Sequence, residues 1–330
     1  MSGRAIMIRL GSHPTPTKFL KEYASIIRLP NMYNMTSLAA LAAVCQTGSF
    51  EAAARRLHIT QSAVSQRLAT LEHEIGRAVV QRTRPVAPTA AGEVLLKLAR
   101  QVELATADAT EALAAAGVAG VRSDGTTRLT RCALAVNADS VATWFTTVVG
   151  NIARDGTMML DLRIEDEEVS RESLRRGAVM AAVTSQSAPA PGCVVSPLGA
   201  MEYWPVCAPQ IADAVAAAPE RQPLVRFDMH DSLQHRYLEM VGALHEPPAH
   251  FVPSNHDFLA AVRLGLGWSV LPSNQAREEI ARGALVRFDT SRSVAVPLYW
   301  QRWRIESPIL DRVTAWVIRA AAGLRGRPAA

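Results

Sequence analysis

The chain has 330 residues, of which 49% are apolar and 20% are charged, so it is long enough for two or three packed domains and is not a disordered sequence. No apolar run reaches the roughly 20 residues that a membrane-spanning helix needs, and the N-terminal residues lack the apolar stretch of a secretory signal. These features predict a cytoplasmic protein. Four cysteines lie far apart and form no C-x-x-C pair, which favours buried thiols over disulfides or a metal site.

The net charge of +5 is concentrated near the N-terminus. Residues 1–35 carry five basic residues against one glutamate, and residues 36–89 carry six arginines against three glutamates. The remainder is slightly acidic, which indicates a nucleic-acid-binding module joined to a body of another kind. Residues 1–32 form a basic extension that we expect to be disordered. Either translation starts at Met32 or Met35, or this segment is a flexible basic arm.

Three short helices are predicted between residues 36 and 71. An apolar stripe marks the first helix, which ends at Gly48, and Ser49 is a suitable N-cap for the second. Thr60 is a suitable N-cap for the third helix, and His58 lies in the turn, where many such motifs have glycine. The residues predicted to face inward are Leu38, Leu41, Val44, Ala53, Ala54, Leu57, Val64, Leu68 and Leu71.

The outer face of the third helix is polar and has no acidic residue. Its short or positively charged side chains suit the base edges and phosphates of a DNA major groove, whereas the alternative is a three-helix core whose polar face only meets water. After the helices, alternation and two prolines predict a hairpin, or wing, whose arginines reach the DNA backbone or minor groove. The predicted DNA-binding residues are Gln61, Ser62, Ser65, Gln66, Arg67, Arg82 and Arg84.

The stretch that begins SLAALAAVCQTGSFEAAARRLHITQSAVSQR resembles the winged helix-turn-helix of LysR-type transcriptional regulators. The resemblance covers residues 36 to about 98. It implies a regulator of transcription, either an activator or a repressor, that binds double-stranded promoter or operator DNA as a homodimer or tetramer. It also implies a C-terminal effector-binding domain.

A long helix is predicted from Thr89 to about Ala116, because this stretch is rich in helix-forming residues and has no internal proline. Positions spaced four and three apart form a seam with the 3.5-residue period of a coiled coil, which favours dimerisation over packing on the helix's own domain. The seam residues are Leu95, Ala99, Val102, Thr106, Ala109 and Leu113. Residues 117–127 contain glycine and serine and are predicted to form a hinge.

The C-terminal part alternates strand-like and helix-like stretches, which is typical of an α/β, doubly wound sheet. We expect two subdomains, as in periplasmic binding proteins, with a ligand cleft at the carboxyl ends of strands. The predicted bounds are 33–89 for the winged helix-turn-helix, 90–126 for the dimerisation helix and hinge, and 127–330 for the effector-binding domain, with subdomain I at 127–195 and 295–330 and subdomain II at 196–294.

The C-terminal half of the chain strengthens the resemblance to LysR-type regulators. The stretches ALAVNADSVATW, IEDEEVSRESLRRGAVMAAVTSQ and VPLYW are similar to the branch of the LysR family that contains the ArgP and LysG regulators. The resemblance implies a sensor of lysine or arginine that controls genes for export or metabolism of basic amino acids. The alternative is a LysR-type regulator of a different small molecule.

Strand ends in this half carry the residue types that a basic amino acid needs. Free N–H groups after the first strand suit an α-carboxylate, and Asp139 there is either an N-cap or the partner of the α-ammonium. Acidic residues at other strand ends would balance the distal cation. No arginine or lysine lies in these stretches, although folding can bring Arg175 or Arg226 nearer. The predicted effector-binding residues are Asn137, Asp139, Ser140, Glu165, Asp166, Thr184, Ser185, Asp228 and Asn255.

Two other classes of protein fit the sequence less well. A solute-binding protein for transport predicts a signal peptide and no helix-turn-helix. An enzyme is not indicated, because the chain has no G-x-S-x-G and no G-x-G-x-x-G after a strand. Five histidines between residues 230 and 256 are irregularly spaced, so neither a metal site nor a cofactor is predicted.

Overall fold

The computed structural model describes residues 33–117, 129–165 and 167–324, with the backbone alone for residues 167 and 168. The described chain divides into two units between Ala99 and Arg100. The basic N-terminal extension, Asp166 and nearly all of the predicted hinge lie outside the described residues. Within the described ranges, no helix combines the length and the apolar character needed to cross a membrane.

The first unit consists of helices and one short hairpin. Its elements are α1 (Met35–Thr47), α2 (Phe50–Leu57), α3 (Gln61–Ile75), β1 (Val80–Gln81), β2 (Ala87–Pro88) and the beginning of α4 (Ala90–Ala115). The two strands pair antiparallel and form the predicted hairpin. Gly48 ends α1 in the left-handed conformation, and the side chains of Ser49 and Thr60 cap α2 and α3. The helix-turn-helix prediction is therefore confirmed.

The core of the first unit is formed by the predicted apolar stripes. Val44, Val64 and Leu71 are fully buried, whereas Leu57 is only partly buried. His58 has a φ of 54° and adopts the left-handed conformation that glycine takes at little cost. The turn therefore keeps its geometry although it has a histidine.

Gly92 permits a close approach between α4 and the backbone that leads into β1. A Cβ atom at position 92 would lie 1.9 Å from the carbonyl oxygen of Val79. Thr89 holds this contact in place, because its amide donates to Val79 O at 3.0 Å and its hydroxyl donates to Ala78 O at 2.7 Å. The start of the long helix is thereby fixed to the hairpin.

The predicted coiled-coil seam of α4 is wrong at its beginning. Leu95 and Ala99 belong to the buried core of the first unit, so they pack on their own domain. Further along, Thr106 and Ala109 are exposed, and Leu113 is 47% exposed. A period of 3.5 residues marks an apolar stripe but does not say which surface covers it.

The second unit is an α/β structure. Its strands are β3 (Thr130–Val136), β4 (Met158–Ile164), β5 (Ala181–Thr184), β6 (Cys193–Cys207), β7 (Leu224–Arg226), β8 (Ala249–Phe251), β9 (Ser269–Pro272), β10 (Val286–Arg287) and β11 (Val294–Trp303). Its helices are α5 (Ala138–Ala142), α6 (Thr146–Asp155), α7 (Glu167–Arg175), α8 (Ala212–Ala217), α9 (Leu233–Met240), α10 (Asn255–Arg263), α11 (Ser273–Ala281) and α12 (Pro308–Ala320). Short 3-10 turns cover Pro209–Ile211, Pro219–Arg221 and Ala321–Gly323.

The main sheet is mixed. Its strand order is β10-β6-β11-β5-β3-β4, and β9 also pairs with β6. Strand β3 runs parallel to β4 and β5, whereas β11 is antiparallel to both β5 and β6. We call residues 129–192 and 304–324 the first lobe and residues 208–293 the second lobe. The long strands β6 and β11 connect the two lobes.

The second half of α4 packs within the second unit. Leu104 is buried in the same core as strand β3. The carboxylate of Asp108 accepts a hydrogen bond from Ile309 N at 3.1 Å, at the beginning of α12, and Arg312 forms an ion pair with Glu111 at 2.9 Å. These contacts attach residues 100–115 to the first lobe.

We expect Gly92→Ala to lower the free energy of unfolding of the first unit by about 2 kcal/mol, because the new methyl group meets rigid backbone and the core has no room for it. Differential scanning calorimetry measures the loss. The matched control is Gly150→Ala in helix α6, where the nearest atom to a new Cβ is a side-chain nitrogen at 3.6 Å. The control should be neutral or slightly stabilising, and equal stability of the two variants would contradict the proposed clash.

Candidate functional site

The exposed face of α3 carries the side chains predicted to read DNA. Gln61, Ser62 and Gln66 are exposed, whereas Ser65 and Arg67 are partly buried. All five lie on the first two turns of α3, directly after the cap at Thr60. The face therefore has hydrogen-bonding groups and one positive charge without an acidic neighbour in these turns.

The hairpin places two arginines beside the helix-turn-helix. Arg82 and Arg84 are exposed in the loop between β1 and β2. The guanidinium carbon of Arg82 lies 5.9 Å from the centre of the Phe50 ring, a cation–π distance. Val86 N donates to Gly48 O at 2.9 Å, which ties the hairpin to the turn between α1 and α2. The charge of Arg82 is thus held close to the N-terminus of α2.

In the second unit, the ends of three parallel strands bring polar residues to one edge of the sheet. Asn137 follows β3, Glu165 follows β4, and Ser185 follows β5. Asn137 Oδ1 and Glu165 Oε2 are buried, and neither has a hydrogen-bond partner among the described residues. Glu165 Oε1 lies 3.9 Å from a guanidinium nitrogen of Arg163. This edge therefore presents acceptors that need donors.

Asp139 lies inside helix α5, where Asn137 occupies the N-cap position, so the N-cap alternative for Asp139 is wrong. The hydroxyl of Tyr203 donates to Asp139 Oδ2 at 2.9 Å. Burial raises the pKa of Asp139 to about 6; the Tyr203 hydrogen bond opposes this rise, and the charge of Asp231 adds to it. A carboxylate with this pKa is ionised at neutral pH and protonated in mild acid.

The remaining residues of the Asn137–Ser140 turn are also close-packed. Ser140 is fully buried and accepts a hydrogen bond from the indole N–H of Trp144 at 3.1 Å. Trp144 is itself buried. Helix α5 has five residues, and no side chain caps its first turn.

Thr184 is engaged inside the first lobe. Its hydroxyl donates to Gln186 O at 3.3 Å and accepts from the amide of Gln301 at 3.2 Å. Gln301 is 1% exposed and also accepts from Ala190 N, so the group is a structural network. Ser185, next in the chain, is partly buried. The structure therefore gives Thr184, a predicted effector-binding residue, a role in holding the loop after β5.

In the second lobe, Asp231 interacts electrostatically with Asp139, whereas Asp228 holds a local turn. Asp228 closes a turn, because its Oδ1 accepts from His230 N at 2.7 Å and from Asp231 N at 3.0 Å. Asp231 accepts from Phe227 N at 3.1 Å and from the Gln234 amide at 3.0 Å. The charge of Asp231 is close enough to Asp139 to raise its pKa.

Asn255 reaches α5 from the second lobe. Its side-chain amide donates to Ala138 O at 3.3 Å. Asn255 begins α10, which Ser254 caps. Together with the Tyr203 hydrogen bond, this contact brings two elements outside the first lobe onto α5.

Sequence reasoning missed Tyr203. The signal that it offered was alternation along β6, which turns Tyr203 inward, where a buried phenol needs a polar partner. Tyr203 is 2% exposed. Nothing local in the sequence indicates that this partner is Asp139, which lies on helix α5, 64 residues earlier in the chain.

Arginines approach the site more closely than the strand ends suggest. Arg226 donates to the backbone oxygen of Asp231 and forms an ion pair with Glu246 at 3.0 Å. Arg236 is close enough to Tyr203 to oppose the rise in the pKa of that phenol. Arg175 instead forms an ion pair with Glu172. Over the described ranges, no three His, Cys, Asp or Glu residues are grouped to hold a metal ion.

The two units are thus a DNA-reading helix-turn-helix and an α/β ligand-binding body, the arrangement of a ligand-responsive transcriptional regulator. The family described as bacterial regulatory helix-turn-helix protein, lysR family, matches residues 35–93. The LysR substrate binding domain matches residues 133–322. The chain belongs to the LysR family and is a transcriptional regulator, not an enzyme.

Two named groups of regulators are similar to this chain. The HTH-type transcriptional regulator LysG of Mycobacterium tuberculosis is 43% identical over 294 residues, which cover 87% of this chain and 93% of LysG. The crystal structure of ArgP from Mycobacterium tuberculosis has a TM-score of 0.75 at 42% identity, covering 88% of this chain and 98% of that one. Full-length LysG from Corynebacterium glutamicum with bound effector Arg has a TM-score of 0.68 at 38% identity, covering 89% and 100%.

The raised pKa of Asp139 makes stability depend on pH. Because the pKa rises from 3.8 in the unfolded chain to about 6, the folded state holds a proton that the unfolded state has lost, and this contribution fades as pH rises through about 6. On acidification from pH 7 to pH 5, the free energy of unfolding of the wild type should rise by about 1 kcal/mol relative to that of Asp139→Asn. Urea unfolding at the two pH values measures the difference.

The control for this prediction is Asp289→Asn. The pKa of Asp289 is lowered to about 2, mainly by hydrogen bonds from Ser291 and Arg292 that outweigh burial, so its contribution changes only below pH 5. Between pH 7 and pH 5, the free energy of unfolding should therefore rise in Asp289→Asn, as in the wild type, but not in Asp139→Asn. Parallel stability curves for the wild type and Asp139→Asn would show that Asp139 has an ordinary pKa.

Proposed function

We propose that this LysR-type regulator senses a basic amino acid, L-lysine or L-arginine, and controls genes for amino-acid export or metabolism. The observation that carries the proposal is the group of carboxylates and buried acceptors around α5. Support also comes from the similar LysG protein of Corynebacterium glutamicum, whose structure holds the effector Arg. The alternative, a different small-molecule effector, becomes the answer if neither amino acid binds.

Charge favours a ligand with more than one cationic group. Asp139, Glu165 and Asp231 lie at or near the same edge, and each is a carboxylate. Lysine and arginine carry two positive groups and one carboxylate, whereas glutamate carries the opposite excess. Bringing glutamate here would place like charges together in a partly buried site, which is costly.

Hydrogen-bonding capacity points in the same direction. Asn137 Oδ1 and Glu165 Oε2 are buried acceptors without a partner among the described residues. A guanidinium has five N–H donors and an ammonium has three, so either ligand brings enough donors. The first turn of α5, which no side chain caps, would donate N–H groups to the ligand's α-carboxylate, whereas the predicted residue Ser140 is buried and accepts from Trp144.

The same proposal assigns the roles of the predicted DNA-binding residues. Gln61, Ser62, Ser65, Gln66 and Arg67 would contact bases and phosphates, and the two hairpin arginines would contact the DNA backbone or minor groove. We propose a homodimer or tetramer, because one reading helix needs a partner to span two half-sites. The proposed domains keep the bounds 33–89, 90–126 and 127–330.

Isothermal titration of the full chain should show that L-lysine or L-arginine binds and that L-glutamate does not. Glu165→Gln should weaken the binding about tenfold, because it removes one charge facing the ligand. Glu306→Gln is the control, since it neutralises a glutamate in the loop between β11 and α12. Equal affinity for all three amino acids would refute a site for basic amino acids.

Gln66→Ala should lower affinity for the operator about tenfold, because a glutamine that contacts a base edge contributes roughly 1–3 kcal/mol of discrimination. Gln101→Ala, on the long helix, is the matched control. Fluorescence anisotropy on a promoter fragment and on an unrelated fragment separates specific from non-specific binding. The prediction fails if Gln66→Ala binds the operator as tightly as Gln101→Ala does.

A further inference from the structure

Tyr203 lies where it can control the Asp139 carboxylate. It is on the long strand β6, opposite Val294 of β11 and Pro272 of β9. The residue is 2% exposed, so both the surrounding strands and the packing restrict its ring. From this fixed position its hydroxyl donates to Asp139 Oδ2 at 2.9 Å.

The Tyr203 hydroxyl is a permanent donor. Burial, with the nearby charge of Asp139, raises the pKa of Tyr203 well above its usual value, so the phenol keeps its proton at physiological pH. A hydrogen bond from a neutral donor to a carboxylate favours the charged form of that carboxylate. The bond therefore opposes the effects of burial and of Asp231, which both favour protonated Asp139.

The bond also orders the carboxylate. With Oδ2 held by Tyr203, the other oxygen of Asp139 is the one left to accept from a ligand. The groups that face this pair are Asp231 and Arg236, from the loop before α9 and from α9 itself, together with the neutral amide of Asn255 at the start of α10.

We propose that Tyr203 is a positioning residue for the effector: through Oδ2 it holds the Asp139 carboxylate in one orientation, so that Oδ1 accepts from the ligand's ammonium or guanidinium. This inference rests on the proposed function, because it assumes a cationic ligand. Tyr203 acts through Asp139 and need not touch the ligand. The role is distinct from packing, since only the hydroxyl oxygen is required for it.

The test is Tyr203→Phe in the full chain, titrated with L-arginine between pH 5 and pH 8. Affinity at pH 7.5 should fall about tenfold, because a charge-assisted hydrogen bond that orders the binding group is lost. The pH at which binding is half-maximal should also move upward, since the lost bond had lowered the pKa of Asp139. A purely structural role would weaken binding equally at every pH and leave that midpoint in place, which would overturn the proposal.

The matched control is Tyr237→Phe. Tyr237 is also 2% exposed, and its hydroxyl also donates to a carboxylate, that of Asp289, at 3.1 Å. This variant loses the same atom from a comparable setting but should keep the affinity and the pH midpoint of the wild type. An equal loss in both variants would assign the effect to general destabilisation and overturn the proposal.

A second measurement covers the case in which Tyr203→Phe fails to fold. Asp139→Asn keeps an acceptor for Tyr203 but cannot titrate, so its weaker binding of L-arginine should not change between pH 5 and pH 8. A pH profile equal to that of the wild type would overturn the proposal.

Wild-type protein that binds neither L-lysine nor L-arginine would refute the proposed function as well, whereas normal binding by a folded Tyr203→Phe variant would refute the role of Tyr203 alone.

Discussion

Acceptor oxygens that are buried without donors are the constraint on which the second unit depends. Parallel pairing of β3 with β4 and β5 brings their carboxyl ends to one edge, so Asn137 and Glu165 come together whatever else the chain does. A buried acceptor without a partner costs roughly 1–3 kcal/mol. A ligand with N–H donors and positive charge, as proposed above, would satisfy these acceptors.

The connection between the lobes follows from the register of two strands. Strands β6 and β11 pair over ten positions with one irregularity between Leu298 and Tyr299, and their far ends join β5 on one side and β9 and β10 on the other. Both contacts onto α5 come from beyond the first lobe, one from β6 and one from α10. An effector bound at α5, as proposed, would lie beside these contacts, and it would stabilise one arrangement of the lobes only by the difference in its affinity for the alternatives.

Local features of the fold could be predicted from the sequence, and distant contacts could not. The caps at Ser49 and Thr60 and the stop at Gly48 act within four residues, so their sequence positions suffice. The hydrogen bonds of Asp228 and Asp231 and the contact of Arg226 with Asp231 depend on a turn whose path a sequence pattern does not determine. The seam of α4 was wrong at its beginning for the same reason, because Leu95 and Ala99 meet a core assembled from α1 to α3 and not a second helix.

If Asp139 binds a cation, as proposed, it differs from an ordinary core residue in its effect on stability. Its raised pKa means that the ionised side chain makes the protein less stable at neutral pH than a neutral side chain of the same shape would. A ligand cation that pairs with the carboxylate removes this cost, and the recovered free energy contributes to binding. By linkage the same ligand lowers the pKa of Asp139, so that proton release and effector binding are two aspects of one equilibrium. A neutral residue at position 139 would stabilise the fold at neutral pH and remove this coupling.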